Sequence, residues 1–181
     1  LAGYRSDFAV SAWRMRRRLV QQASTDPVTG LLNRNGWSER AEAAHARAAA
    51  AGVPLALVVL DIDFFKRIND RLGHDGGDAV LQRLGAIMQA RAGVRGCAAR
   101  IGGEEFAVLL EGHDAHSART FAESVRSEFG GEHEGAVTTL SAGVAEHRPG
   151  ETLRELMRRA DLALYSAKHE GRDRVCVAPF S

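Results

Sequence analysis

Leu55-Ala56-Leu57-Val58-Val59-Leu60-Asp61-Ile62-Asp63 is the stretch on which the fold turns. Its apolar run, bounded by Pro54 and Asp61, reads as a buried strand that ends on carboxylates. Downstream, Ala98–Ile101 and Phe106–Leu110 make two more short apolar runs, joined by the tight turn Gly102-Gly103-Glu104-Glu105. Carboxylates at a strand end and in a neighbouring turn meet in space without distorting either element. Left unpaired they repel one another, so the cluster calls for a cation. Oxygen donors with no cysteine or histidine beside them suit Mg²⁺ or Mn²⁺, and Mg²⁺ usually arrives with phosphates. Phosphoryl transfer is therefore the first chemistry to test.

Working outward, residues 36–51 are alanine-rich and helical by propensity, stopping before Gly52 and Pro54. Phe64–Leu72 reads as a short helix closed by Gly73. A second helix is expected from about Asp78 to Arg91, with Leu81, Leu84 and Met88 on one face. A hairpin over 97–110 follows, then a helix over 115–129 with Phe121 and Val125 inward. Val137–Val144 reads as one strand, 152–169 as a helix and Arg174–Ala178 as a last short strand. A hairpin requires antiparallel neighbours, which disfavours a purely parallel doubly wound sheet. The order predicts an α/β fold: a palm-like, ferredoxin-type, mostly antiparallel central sheet, covered economically by helices on one face.

The length of 181 residues fits one domain with a short appendage, residues 1–25 preceding a domain over 26–181. In the appendage, Phe8, Ala12, Met15, Leu19 and Gln22 recur at helical spacing with Arg14 and Arg16–Arg18 around them. Such a seam packs on a partner helix or on the domain behind it, lies solvated as a connector, or presents a juxtamembrane basic patch. A net charge of +1 argues against a nucleic-acid surface acting by bulk electrostatics. The two cysteines, Cys97 and Cys176, read as buried thiols in a reducing compartment. No apolar run approaches the length of a membrane span. The chain opens at Leu1 rather than at a methionine, so an upstream sensory or membrane region is expected.

Five signatures together resemble the GGDEF family, the diguanylate cyclases. They are Asp26–Arg34, Asp61–Asp70 with Gly73–Asp78, Arg100–Phe106, Thr139–Val144, and Ala160-Asp161 through Tyr165, Lys168 and Gly171-Arg172. The turn reads GGEEF here, a common alternative to GGDEF. The resemblance implies a nucleotide-cyclase-like domain that condenses two GTP into cyclic di-GMP, releasing two pyrophosphates. Each member of an antiparallel homodimer would hold one GTP in a half-site. It implies two Mg²⁺ (or Mn²⁺) per half-site, held by Asp61, Glu104 and the backbone carbonyl of Ile62. Glu105 is implied as a base at the 3′-hydroxyl or as a secondary metal ligand, beside Asp61 and Glu104 as the catalytic set. Asn69 and Asp78 are implied to read guanine, with Phe65 either lining that pocket or belonging to the core. Lys66, Lys168 and Arg172 are implied to meet the β- and γ-phosphates. Gly102 and Gly103 would allow unusual backbone angles and let the chain approach the phosphates.

One departure from the family pattern carries meaning. Where many members have an Arg-x-x-Asp product-binding motif, this chain has Gly93 and Gly96, so no product-inhibition site is expected there. The implied setting is the cytoplasmic domain of a membrane-anchored bacterial signalling protein, with no nucleic-acid partner. The rival reading is a degenerate member that binds GTP or cyclic di-GMP as an interaction module without turnover.

Overall fold

Leu55–Ile62 forms β1, and every one of its residues is buried. The structure, a computed structural model, describes residues 24–93 and 97–180. Ahead of β1 lies α1 (Arg34–Ala51), and after it come α2 (Phe65–Ala92), β2 (Cys97–Arg100), β3 (Glu105–Glu111) and α3 (Ala115–Phe129). The chain continues through β4 (Gly131–His133), β5 (Ala136–Thr138), β6 (Leu140–Glu146), α4 (Leu153–His169) and β7 (Val175–Val177). The helix expected over 8–24 lies, apart from Ser24, outside the described residues. Among the described residues no helix is long and apolar enough to cross a membrane.

The central sheet has the order β2-β3-β1-β6-β7, with β1 antiparallel to both β3 and β6 and only β7 parallel to its neighbour. The mostly antiparallel, ferredoxin-type expectation is met. Helices cover both faces, however, rather than one. Ala56, Val58, Leu60 and Ile62 pack with residues of α2 and α3, such as Leu84, Met88, Ala122 and Phe129. Leu55, Leu57 and Val59 pack with Trp37, Ala41, Ala44 and Ala48 of α1 and with Leu156 and Ala160 of α4. A strand whose side chains alternate between faces must be apolar throughout when both faces are covered. The unbroken run at 55–60 carried that information.

Local chemistry accounts for the helix ends. Asn33 caps α1 by accepting from the Gly36 amide, and Gly52 closes it at φ 63°. Thr152 and Glu155 form a reciprocal capping box at the start of α4. The two helices expected around Gly73 are nearly one: α2 is broken only at Gly73 (φ 75°, ψ 176°), and its second half starts well before Asp78. The strand expected over 137–144 divides at Thr139. Thr138 stays in the β4–β5 ribbon, while Leu140 begins pairing with β1 opposite Ile62. Cys97 and Cys176 are free thiols; Cys97 is buried, which pushes its thiol up to about 11, and Cys176 is half-buried.

α4 packs tightly against Gly143 of β6. A Cβ there would lie 2.1 Å from the Ala160 carbonyl oxygen and 2.3 Å from the Leu164 nitrogen, both backbone atoms that cannot rotate away. Gly143→Ala is expected to destabilise the domain by about 3 kcal/mol or more. That corresponds to a melting temperature lower by roughly 6–12 °C, and calorimetry of the purified variant measures it.

Candidate active site at the carboxylate end of the sheet

Side-chain alternation turns Asp61 to the face occupied by Leu57 and Val59, which is the α4 side. It stands opposite Glu105 of β3 and Ser141 of β6 in the ladder. Asp61 is only 6% exposed. Lys168, in the last turn of α4, places Nζ 2.9 Å from its Oδ2. Burial raises the Asp61 pKa; Lys168 opposes that, while Glu104 and Glu105 push it further up. Three carboxylates thus crowd one strand end with a single lysine against Asp61. The Ile62 amide donates to the Glu104 carbonyl at 3.3 Å, which stitches the turn to β1.

Among the described residues no three Asp, Glu, His or Cys side chains are gathered as a ready-made cation cage. The donor chemistry nevertheless suits a hard divalent ion. A buried carboxylate destabilised by its own desolvation and by two like charges has oxygen donors only. Lys168 is the cation that serves Asp61 in this structure.

The turn is clamped from behind. Arg100 donates from Nε (3.0 Å) and Nη2 (2.7 Å) to the Gly103 carbonyl, and from Nη1 to Asp26 Oδ1 at 3.2 Å. Burial acts to raise Asp26, but the Thr29 hydroxyl and amide and the Arg100 charge more than offset it, so its carboxyl is held below the usual range. Arg34 Nε also donates to the Ile101 carbonyl at 3.0 Å. The opening loop therefore fixes the turn, a role that the sequence did not assign to Asp26 or Arg100. Arg100→Ala is expected to lower turnover about 10-fold to 100-fold by letting the turn drift. It should also cost about 1–3 kcal/mol through the loss of its charged hydrogen bond to the half-buried Asp26; steady-state kinetics and thermal melts measure the two.

Gly102 and Gly103 are not among the residues with positive φ. Their value is space, not unusual backbone angles, contrary to expectation. A Cβ on Gly102 would come within 2.4 Å of the Glu105 carboxylate, and one on Gly103 would meet nothing within 4 Å. Positive φ falls instead on Phe64 (54°), Gly171 (121°), Arg172 (64°) and Asp173 (44°).

Asp63 organises those strained residues. Its Oδ1 accepts from the Ser141 hydroxyl (2.7 Å), and its Oδ2 from the Thr139 hydroxyl (2.8 Å) and the Asp173 amide (3.0 Å). With all three donors in place, the loop after α4 is tied to the end of β1. Arg172 then lies 4.5 Å from the centre of the Phe64 ring, and Arg67 sits at 4.5 Å from it as well. Phe64 is 48% exposed, while the expected Phe65 is buried in the core against α2 and α3. The dipeptide gave no signal to decide between them, because only the backbone break at Phe64 fixes which ring faces out.

Asn69 is half-buried and Asp78 and Lys66 are exposed, on the two halves of α2. A Cβ on Gly77 would fall 1.7 Å from Asn69 Oδ1, so any larger residue at 77 would displace the Asn69 side chain. Gly93, at φ 63°, ends α2, and Gly96 lies outside the described residues.

Comparison with known proteins accords with this geometry. Residues 23–174 match the family described as "Diguanylate cyclase, GGDEF domain". The chain is 44% identical over 163 residues to diguanylate cyclase DgcP of Pseudomonas aeruginosa, covering 87% of this chain and 24% of that protein. It superposes on the coiled coil and GGDEF domain of DgcB from Caulobacter crescentus, solved with c-di-GMP, at a TM-score of 0.86, 34% identity and 98% coverage of both chains. The active GGEEF domain of a Vibrio cholerae diguanylate cyclase matches at a TM-score of 0.78 and 37% identity, over 83% of this chain and 99% of that one. Against the curated relatives the chain spans only part of their length, about a quarter of one and half of another. By the family match, the identity to a named relative and the superposition together, the chain belongs to the GGDEF family, the diguanylate cyclases.

Proposed function

We propose that this domain condenses two GTP molecules into cyclic di-GMP, working as an antiparallel homodimer in which each protomer holds one GTP. The 3′-hydroxyl of each nucleotide attacks the α-phosphorus of the other. The bond from that phosphorus to the β-phosphate bridging oxygen breaks, and pyrophosphate leaves. The observation that carries the reading is Asp61, buried and crowded by Glu104 and Glu105, at a strand end with oxygen donors alone.

Asp61, Glu104 and the Ile62 carbonyl would hold two Mg²⁺ (or Mn²⁺) per half-site. Bound there, the ions supply charge neutralisation for the triphosphate and activation of the attacking oxygen. The chain's own residues do the remainder. Gly102 and Gly103 leave the turn backbone free to meet phosphate. Lys66, Lys168 and Arg172 pair with the outer phosphates, for which Lys168 would release Asp61. Asn69 and Asp78 read the guanine edge, rejecting adenine because its edge offers the wrong donors and acceptors to them. Glu105 takes the proton of the 3′-hydroxyl or serves as a further metal ligand.

Residues 1–25, as a linker or signalling helix, would bring two domains over 26–181 face to face. GTP supply sets the domain on the cytoplasmic side, and Gly93 and Gly96 leave it without the family's product-inhibition site. The test is incubation with GTP and Mg²⁺ across a wide range of protein concentration, with nucleotides resolved by chromatography. Cyclic di-GMP formed at a rate steeper than first order in protein is the expected result. Tight GTP binding with no product, even when two copies are joined by a fused dimerising helix, would leave the non-catalytic interaction module as the correct reading.

A further inference from the structure

At the opposite end of β1 from Asp61, three polar atoms converge in a way that no proton arrangement satisfies. His147 follows β6, and its amide donates to the Leu55 carbonyl at 2.8 Å, which places it at the start of β1. Asp61 lies six residues further along that strand, about 20 Å away. His45 comes from the middle of α1. Their Nε2 atoms are 3.0 Å apart, and each lies 2.9 Å from the carbonyl oxygen of Glu151. The three atoms form a nearly equilateral triangle.

The carbonyl only accepts. If both imidazoles carry a proton on Nε2, both donate to Glu151 but two N–H groups face each other at 3.0 Å. If one carries it, the other nitrogen presents its lone pair to the carbonyl lone pairs at 2.9 Å. If neither does, all three edges are repulsive. Whichever tautomers are drawn, one edge stays unfavourable. A cation outside the plane of the triangle satisfies all three at once. With metal–nitrogen bonds of about 2.0–2.1 Å, neighbouring ligands at right angles lie about 2.9 Å apart, and tetrahedral ones about 3.3 Å.

We propose that His45 Nε2, His147 Nε2 and the Glu151 carbonyl form a binding site for a divalent first-row transition ion (Zn²⁺, Ni²⁺ or Co²⁺), separate from the carboxylate site. Other observations support it. The ring planes cross at 85° with centroids 4.7 Å apart, a T-shaped contact rather than a stack. Both histidines are half-buried, which leaves room for water to complete the shell. The carbonyl is held in place: the Glu151 carboxylate accepts from Arg159 Nη1 at 3.0 Å and from the Arg148 amide at 2.9 Å, and Arg159 also binds the Glu146 carbonyl. That ion pair cancels the nearby charge of Arg159, so the cation is not repelled. Imidazole ligands select transition ions over Mg²⁺, so Mg²⁺ at working concentration does not compete. The bound ion pins α1 to the segment before α4.

The experiment is thermal unfolding of the chelator-stripped protein in Mg²⁺ buffer, with and without Zn²⁺, Ni²⁺ or Co²⁺, alongside the visible spectrum of the Co²⁺ form. At a hundred-fold excess of ion over its dissociation constant, the wild-type protein should melt roughly 5–10 °C higher. Co²⁺ should develop ligand-field absorption at one equivalent. Asp61→Asn should keep both responses, since the carboxylate site is not involved. His45→Ala and His147→Ala should each lose both; should His147→Ala not fold, His45→Ala, one more alanine in an alanine-rich helix, decides alone. No shift in the wild-type protein, or an equal shift in His45→Ala, overturns the proposal.

Discussion

Asp61→Asn should lose turnover by about 10³-fold or more and yet melt no lower than the wild-type protein at pH 7. The loss follows from removing the charged donor at the centre of the proposed metal site. The preserved stability follows from the physics of burial. Desolvation, aided by Glu104 and Glu105, outweighs Lys168 and raises the folded-state pKa above the unfolded value of 3.8. A raised carboxyl means that the fold prefers the protonated form. Asp61 therefore favours folding below pH 3.8, and that contribution is lost as pH rises through the folded pKa. At neutral pH the protein carries an ionised group that its own interior disfavours, and the neutral asparagine removes that cost. Lys168, a third exposed, regains water when its partner goes. The measurements are product formation and melting temperature between pH 4 and pH 8; a melting temperature well below wild type at pH 7 would refute the account. Asp26 runs the opposite way. Its lowered carboxyl stabilises the fold above pH 3.8, a contribution lost as pH falls through its folded pKa.

The second large effect is expected from Gly103→Ala, which should reduce turnover by about 10²-fold or more while leaving the domain as stable or slightly more so. No atom of the protein lies within 4 Å of the added methyl, and Gly103 does not use positive φ. In such a compatible site alanine lowers the entropy of the unfolded chain, worth about 0.4–1 kcal/mol. Nothing in the free domain thus penalises the methyl; only a nucleotide lying against the turn would. The variant separates the proposed phosphate approach from any folding requirement. Kinetics and calorimetry on one preparation check it, and full activity would remove the phosphate from the vicinity of Gly103.

These two residues also show how the sequence and the structure divide the information. The run Leu55–Leu60 with its terminal carboxylates marked both the central strand and the site, because an uninterrupted apolar stretch and a charged strand end are chemically legible without coordinates. The hairpin was equally plain, since Gly102–Glu105 bounded by apolar runs leaves little else to build. Less legible was the reason for the glycines: spacing suggests unusual angles, whereas the backbone shows ordinary ones and an open surface.

Residues whose partners lie far along the chain stayed silent. Asp26 meets Arg100, Asp63 meets Thr139, Ser141 and the Asp173 amide, and His45 meets His147. Each is an ordinary polar residue until the sheet order brings its counterpart beside it. Phe64 and Phe65 were indistinguishable as letters, and only a left-handed backbone at Phe64 turns one ring outward and the other into the core.

The sequence by itself determined the central strand, the hairpin, the acidic strand end and the glutamate turn, since these depend on local periodicity, turn chemistry and charge. Tertiary structure decided that helices cover both faces, that Lys168 reaches Asp61, and that the opening loop clamps the turn. The physical reason is range. Propensity and patterning act over a few residues, while desolvation, ion pairing and close approach are set by whichever groups the finished sheet makes neighbours.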